Sequence, residues 1–169
     1  MTITSKYHGR NNVDYIFEYR DIDSFEEFDK NGFKQIYGIC FCGDKMVIGF
    51  GGGRFSGKKN WNLVGGTREG SETVEETLKR EVREESNMEI LAYLPIGCQK
   101  VIDTRDGSFV YQLRCVCKVQ PYGQFAKDPD PGGVTEIKLI DPADYKQYFD
   151  WGEIGEHIIS RALELKSKL

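Results

Sequence analysis

Three glutamates, Glu81, Glu84 and Glu85, lie three and four positions apart in a segment of helix-forming residues. On a helix this spacing puts the three carboxylates on one face, where each like-charged pair costs roughly a few tenths of a kcal/mol. A cation would relieve the repulsion, and hard divalent cations prefer carboxylate oxygens. The spacing therefore predicts a site for Mg²⁺, or for Mn²⁺ in its place.

Local signals predict the helix that must carry these carboxylates, from Val74 to Ser86. Thr73 can cap its N-terminus, and Glu76 three residues later completes a capping box. An apolar stripe with four-residue spacing runs beside the acidic face and predicts burial against a core. The residues of the stripe are Val74, Leu78 and Val82.

The wider segment follows a fixed order over 23 residues. It reads Gly66, five residues, Glu72, seven residues, Arg80, Glu81, Val82, one residue, Glu84, Glu85, one residue, Asn87 and Met88. This pattern resembles the Nudix box of pyrophosphohydrolases. The family's box ends in a glycine and an aliphatic residue, where this chain has Asn87 and Met88. Asparagine is, after glycine, the residue that best tolerates the left-handed conformation that closes a helix.

The resemblance implies a role for each acidic position. Glu81, Glu84 and Glu85 would be metal ligands, Glu72 would support the metal site, and Arg80 would hold a glutamate through an ion pair. The bound metal would lower the pKa of a coordinated water, so that hydroxide attacks phosphorus. The general base would be Glu85 or a carboxylate further downstream.

We therefore expect a magnesium-dependent hydrolase that cuts a phosphoanhydride bond in a nucleoside diphosphate linked to another group. That group would be a further phosphate or a sugar, as in nucleoside triphosphates, nucleotide sugars or compounds of the ADP-ribose type. One alternative is a noncatalytic Nudix-like sensor that binds a nucleotide and regulates a partner. Others are a structural module that contacts a basic protein and a plain solvated, salt-bridged helix.

Basic and aromatic residues near the motif are candidates for contact with the substrate. Arg54, Lys58 and Arg68 could meet diphosphate oxygens, although an exposed loop of this composition is often only solvated. Trp61 could stack on a base or belong to the core. Residues 52–59 nearly match a phosphate-binding P-loop, but Lys59 replaces the Ser or Thr that holds magnesium, and no helix follows.

A turn-rich segment, 128–133, supplies further carboxylates downstream. Asp128, Asp130 or Glu136 could add a metal ligand or a general base, because some family members draw one from this region. None of them matches a fixed motif, so simple solvation is the alternative.

Length and composition are those of a single globular domain, which we assign to residues 1–169 as a Nudix hydrolase domain. The chain is 39% hydrophobic and 30% charged, and no apolar run approaches the roughly 20 residues that cross a bilayer. Its net charge of −4 argues against nonspecific binding of nucleic acid and favours small phosphorylated substrates. The start of the sequence has no apolar signal region, so we expect a cytoplasmic protein.

Five cysteines lie at Cys40, Cys42, Cys98, Cys115 and Cys117. Their spacing does not match the usual zinc motifs, and an odd number does not favour a disulfide framework. We therefore expect buried, reduced thiols.

The pattern of elements favours an α+β (mixed α/β) architecture, and the resemblance implies a mixed sheet sandwiched between helices. An apolar stripe at Ile154, Ile158, Ala162 and Leu165 predicts a last helix that packs in the core or in a homodimer. Expected strands are 13–19 (an edge strand), 33–42, 45–50, 91–103, 109–119 and 134–140. Expected helices are 24–30, 74–86, 142–148 and 153–166, and 51–66 is expected to be a loop.

Overall fold

The computed structural model describes residues 2–9, 11–52, 58–127 and 133–169. Within these residues the chain forms nine strands, three α-helices and one 3₁₀ helix. In chain order they are β1 (Thr2–His8), β2 (Asp14–Asp21), α1 (Glu26–Asn31), β3 (Gln35–Cys42), β4 (Lys45–Gly51), β5 (Asn60–Asn62), β6 (Val64–Thr67), α2 (Val74–Ser86), β7 (Met88–Asp103), β8 (Phe109–Pro121), β9 (Glu136–Ile140), the 3₁₀ helix (Pro142–Gln147) and α3 (Gly152–Lys166).

All the described strands belong to one sheet with the order β1-β2-β7-β8-β3-β4-β5. Two further strands join this path, because β6 pairs with β3 and β9 pairs with β4. The pair β3–β8 is parallel and every other pair is antiparallel. The expected mixed α/β architecture is therefore confirmed.

Helices cover both faces of the sheet. On one face, α1 and α2 pack on the alternate residues of β3 and β8 that include Ile36 and Leu113. On the other face, α3 and the 3₁₀ helix pack on the residues between them, such as Ile39 and Val116. This alternation follows from the two-residue period of a strand. We call the two faces the α2 face and the α3 face.

A short extended segment lies in the gap where β3 and β4 separate. The first half of β3, 35–38, pairs with β6, and its last residues, 40–42, pair with β4. The outer end of β4 pairs with β5 instead. Residues 60–67 therefore fill the gap, and β6 comes to lie beside α2.

Several expected boundaries are wrong, mostly where strands are short or lack alternation. The predicted loop over 51–66 contains β5 and β6, which form because the neighbouring strands offer unpaired backbone groups. β1 is absent from the prediction, and it covers β2, so the strand predicted over 13–19 is not at an edge. The segment 142–148 is helical, but as a 3₁₀ helix.

The thiols and the terminal stripe behave as core residues. All five cysteines are free, and all but Cys42 are buried. In α3, Ile154, Ile158 and Ala162 are at most 3% exposed and pack on the sheet. The stripe therefore gives no reason to expect a dimer.

No described helix is long and apolar enough to cross a membrane.

Both ends of α2 have the predicted caps. The Thr73 hydroxyl accepts a hydrogen bond from the backbone N–H of Glu76, whose carboxylate accepts from the Thr73 N–H. At the other end Asn87 adopts the left-handed conformation, with φ 52° and ψ 36°. The local sequence alone accounts for where this helix begins and ends.

Substitutions at Asn87 test the left-handed cap. N87A and N87G both lose the hydrogen bond from the side-chain amide to the carbonyl of Gln124. They differ in the cost of the left-handed backbone, so we expect N87G to be more stable than N87A by about 1 kcal/mol. Urea denaturation of the two variants measures this difference. Equal midpoints would contradict the cap.

Candidate active site

The guanidinium of Arg80 lies at the centre of the acidic group. Its Nε and Nη2 donate to the two carboxylate oxygens of Glu72, at 2.7 and 2.9 Å. Its Nη1 donates to Glu81 at 2.9 Å and to Glu84 at 3.1 Å. Nη2 also donates to the backbone carbonyl of Thr67 at 2.9 Å, which ties β6 to α2. The ion pair that the resemblance implies for Arg80 is therefore present, and it is bidentate toward Glu72.

Glu72 accepts hydrogen bonds from other groups as well as from Arg80. Besides Arg80, its carboxylate accepts from the hydroxyl of Thr77 and from the backbone N–H of Glu69, each at 3.0 Å. The hydrogen bonds from Arg80, followed by the smaller contributions of Glu69 and Thr77, lower its pKa to about 2. Both oxygens of Glu72 thus contact Arg80.

Glu81 is the least exposed of the three glutamates that contact Arg80 most closely. Its side chain is only 12% exposed, and burial raises its pKa although Arg80 acts in the opposite direction. The nearby charges of Glu84 and Glu69 add to the rise. Gly66 lies directly against it, since a Cβ at this position would be 2.4 Å from the Glu81 Oε2 atom. The first glycine of the motif is therefore needed to leave room for this carboxylate.

Glu85 contacts the strand in the gap of the sheet. Its Oε2 accepts a hydrogen bond from the backbone N–H of Gly65 at 2.8 Å. Gly65 has φ +146° and its Cα packs on the backbone of Ile36, where a Cβ would lie 2.2 Å from the carbonyl oxygen. A side chain here would separate β6 from β3, so glycine is required for the backbone to reach Glu85.

The carboxylates are neighbours, but they do not form a complete metal cage. Among the described residues, no three His, Cys, Asp or Glu side chains are arranged to hold one cation. Glu81 and Glu84 share one nitrogen of Arg80, and Glu85 points to Gly65. Magnesium usually needs only one or two protein carboxylates together with waters and substrate phosphates. The donor set therefore fits such a cation.

The candidates for substrate contact fall in different places. Arg54 lies outside the described residues, and Lys58 is exposed just before β5. Arg68 has structural contacts, because its Nε donates to the Glu72 carbonyl at 2.7 Å and its guanidinium stacks 5.1 Å from the ring of Phe33. Arg68 thus helps to stabilise the loop before α2.

Trp61 belongs to an aromatic cluster on the α3 face. Its ring lies 5.2 Å from that of Phe50 and 5.8 Å from that of Tyr148. The ammonium of Lys138 lies 4.7 Å above it. The indole is half-buried, so this cluster combines an aromatic surface with a positive charge.

Of the downstream carboxylates, only Glu136 lies in the described part of the chain. Asp128 and Asp130 lie outside the described residues, and Glu136 is an exposed residue at the start of β9, where it pairs with Phe50.

The structure also brings Arg114 into the interior at 3% exposure, and the sequence analysis does not single out this residue. The available signal was a charged residue within the otherwise apolar run 113–117.

Comparison with known families identifies the family of this chain. The NUDIX domain model matches residues 39–161, which is most of the chain and includes the motif on α2. The chain belongs to the Nudix family. It is therefore a hydrolase of the class that acts on pyrophosphate bonds, and Nudix hydrolases generally use divalent metal cations.

Solved structures share the Nudix fold at low sequence identity. The pyrophosphohydrolase BsRppH of Bacillus subtilis has a TM-score of 0.65 at 15% identity, with 96% of this chain and 97% of that one covered. An ADP compounds hydrolase has 0.57 at 14%, with 98% and 85% covered. A NUDIX hydrolase from Nitrosomonas europaea has 0.56 at 14%, with 79% and 87% covered. A search of curated protein sequences finds no match.

The low pKa of Glu72 predicts how this Nudix site responds to acid. A lowered pKa contributes stability above the unfolded value of about 4.5, and that stability is lost as the pH falls through about 2. We expect E72Q to cost about 1 to 2 kcal/mol at pH 7, or about 2 to 8 °C in melting temperature. The deficit should shrink as the pH is lowered below about 4.5.

Thermal melts of wild type and E72Q from pH 3 to pH 8 measure this. E27Q is the matched control, because Glu27 forms an exposed ion pair with Arg20 that contributes little. A deficit in E72Q that stays constant as the pH falls would show that Glu72 does not act as a charged partner of Arg80.

Proposed function

We propose that the chain is a magnesium-dependent pyrophosphohydrolase that cuts a phosphoanhydride bond in a nucleoside diphosphate linked to another group. The observation that carries this proposal is the arrangement around Arg80, which keeps the carboxylates of Glu81 and Glu84 together at the edge of β6. Family membership supplies the reaction class. The finer statements, which are the metal, the substrate and the residue roles, rest on the chemistry of these groups.

In this proposal Glu81, Glu84 and Glu85 hold the metal, and Mn²⁺ can replace Mg²⁺ because both accept carboxylate oxygens. The bound cation would neutralise charge on the diphosphate and lower the pKa of a water molecule, which is the nucleophile. Arg80 keeps Glu81 and Glu84 on the same side of the helix. Glu72 fixes Arg80 and is a positioning residue.

Two groups can accept the proton of the attacking water. One is Glu85, whose carboxylate is oriented by the hydrogen bond that one of its oxygens accepts from the Gly65 N–H. A downstream carboxylate such as Glu136 is the alternative, and it lies beside Phe50 on β9. The carboxylate that lies within hydrogen-bond reach of the water in the substrate complex would act as the base.

The aromatic cluster on the α3 face favours a nucleoside-containing substrate. Trp61 offers a half-buried ring beside Phe50 and Tyr148, and Lys138 adds a positive charge that suits a nearby phosphate. One relative of similar fold is named an ADP compounds hydrolase, which agrees with this chemistry. The net charge of −4 favours a small substrate over nucleic acid.

Substitution of Glu84 tests the proposed metal ligands. The Glu84 side chain is 52% exposed, so E84Q should fold normally. Loss of one negative oxygen donor should lower kcat by about 100-fold or more in magnesium. Steady-state hydrolysis of ADP-ribose, nucleotide sugars and nucleoside triphosphates measures the effect.

The matched control is E75Q, on the same helix one turn before the motif's arginine. Glu75 pairs with Lys79 on the exposed side of α2, so its removal should leave kcat within about twofold. Wild-type turnover in E84Q with magnesium would contradict the ligand assignment. Equal losses in both variants would point to a general effect of charge on α2.

A further inference from the structure

Arg114 is the one charged residue among the buried residues that the structure describes. Four polar or charged residues are buried there, namely Thr77, Ser86, Gln99 and Arg114. Thr77 and Ser86 belong to α2 and bond to its own backbone carbonyls. Arg114 lies on β8 at 3% exposure, and its burial lowers its pKa. A buried charge is costly unless a partner balances it.

The described residues do not balance this charge. Nη1 of Arg114 donates to the backbone carbonyl of Leu113 at 3.0 Å, and Nη2 donates to the side-chain oxygen of Gln112 at 3.2 Å. Nε has no hydrogen-bond partner among the described residues. The rings of Tyr37 and Trp151 lie 4.9 and 5.6 Å from the guanidinium carbon. These contacts are all with neutral groups, and none supplies negative charge.

A row of polar side chains leads from this arginine to the acidic group. Gln99, Gln112, Gln35 and Thr67 lie opposite each other on β7, β8, β3 and β6. Their side chains are linked by hydrogen bonds of 3.3, 2.8 and 3.4 Å along the row. The carbonyl of Thr67 at the end of the row accepts from Arg80. Polar side chains therefore connect the neighbour of Arg114 on β8 with the strand that contacts Arg80.

The spacing of the strands relates Arg114 to the candidate metal ligands. Arg114 lies opposite Tyr37, and Tyr37 lies opposite Gly65, whose N–H holds Glu85. Neighbouring strands are about 4.8 Å apart, so two strand spacings put the Cα of Arg114 about 10 Å from the Cα of Gly65. A phosphorylated substrate whose anhydride lies at the acidic group can extend over this distance.

The start of α3 borders Arg114 but already carries protein carboxylates. Trp151 is the N-cap of this 15-residue helix and makes no side-chain capping hydrogen bond. The Asp150 carboxylate accepts a hydrogen bond from the Gly152 N–H at 2.8 Å, and Glu153 lies in the first turn, so these groups offset the partial positive charge of the helix end. The ring of Trp151 lies 5.6 Å from the guanidinium carbon of Arg114. Its half-buried indole would have to turn aside to admit a ligand at Arg114.

We propose that Arg114 binds a phosphate group of the substrate next to Gln112. This inference rests on the proposed function, because it places one part of a substrate whose reacting bond lies at Glu81, Glu84 and Glu85. An anion suits this position, since it would balance the buried charge of Arg114 and a neutral base or sugar would not. The substrate class is therefore one with a phosphate separate from the attacked bond.

Inorganic phosphate tests the binding site without any need for turnover. We would melt the full chain in EDTA at constant ionic strength while phosphate is raised to about 20 mM. Wild type should show a saturable rise in melting temperature of about 2 to 5 °C. R114M should show only the shallow, nonsaturable rise that phosphate gives to proteins in general. R105Q is the matched control, because Arg105 is exposed at the β7–β8 turn and pairs with Asp103.

Two further measurements separate this role from a structural one. Without phosphate, R114M should melt no lower than wild type, because it removes an unbalanced buried charge. On the substrate that wild type hydrolyses, R114M should raise KM about tenfold or more with kcat within about threefold. R114K keeps the charge and should retain part of the phosphate response, which also serves if R114M does not fold.

A saturable phosphate response in R114M equal to that of wild type would overturn the proposal, as would a large loss of stability with an unchanged KM. Failure of the proposed function has a different signature. In that case no substrate is hydrolysed by wild type, while the phosphate response still reports on Arg114.

Discussion

The contact between Arg80 and Glu72 is the interaction on which the rest of the site depends. α2 carries several carboxylates on one face, and their mutual repulsion would spread them apart in water. The guanidinium is held by two hydrogen bonds to Glu72, which fixes its plane, and its remaining nitrogen faces Glu81 and Glu84. One arginine therefore holds negative charges together on a surface where they would otherwise repel.

The backbone supplies the second requirement, which is close approach between α2 and the sheet. Where β3 and β4 separate, β6 enters the gap and presents two glycines to the helix. Gly66 leaves room for the carboxylate of Glu81, and Gly65 lets its N–H reach Glu85. The Thr67 carbonyl completes the contact by accepting from Arg80. The acidic group thus lies at an interruption of the sheet, beside a strand that ends at the loop before α2.

The local sequence predicts α2 well because its signals are local. The capping box, the apolar stripe and the left-handed Asn87 depend only on residues within a few positions of each other. The short strands β5 and β6 are different, since they exist because β3 and β4 offer them unpaired backbone groups. β1 was missed for a related reason, as six of its seven residues are at least partly exposed and give little alternation.

The residues of the site also divide into those that local spacing predicts and those whose contacts depend on distant elements. The spacing of the motif predicts that Arg80 pairs with a glutamate, but it does not predict that Glu72 accepts hydrogen bonds from two of its nitrogens. The apolar run around Arg114 indicates that this residue is buried, but it gives no indication of which side chains from distant elements surround it. Tyr37 and Trp151 come from β3 and from the start of α3, and only the fold brings them together.

The central claim is that water, activated beside these carboxylates, breaks a phosphoanhydride bond. Hydrolysis of a panel of nucleoside triphosphates, nucleotide sugars, ADP-ribose and dinucleotides in ¹⁸O-labelled water, followed by mass spectrometry of the products, tests it directly. The account predicts a nucleoside monophosphate and pyrophosphate, or a second phosphorylated product. One ¹⁸O atom should enter one product phosphate, and turnover should require magnesium. Turnover without the label, or no turnover of any compound with magnesium or manganese, would contradict it.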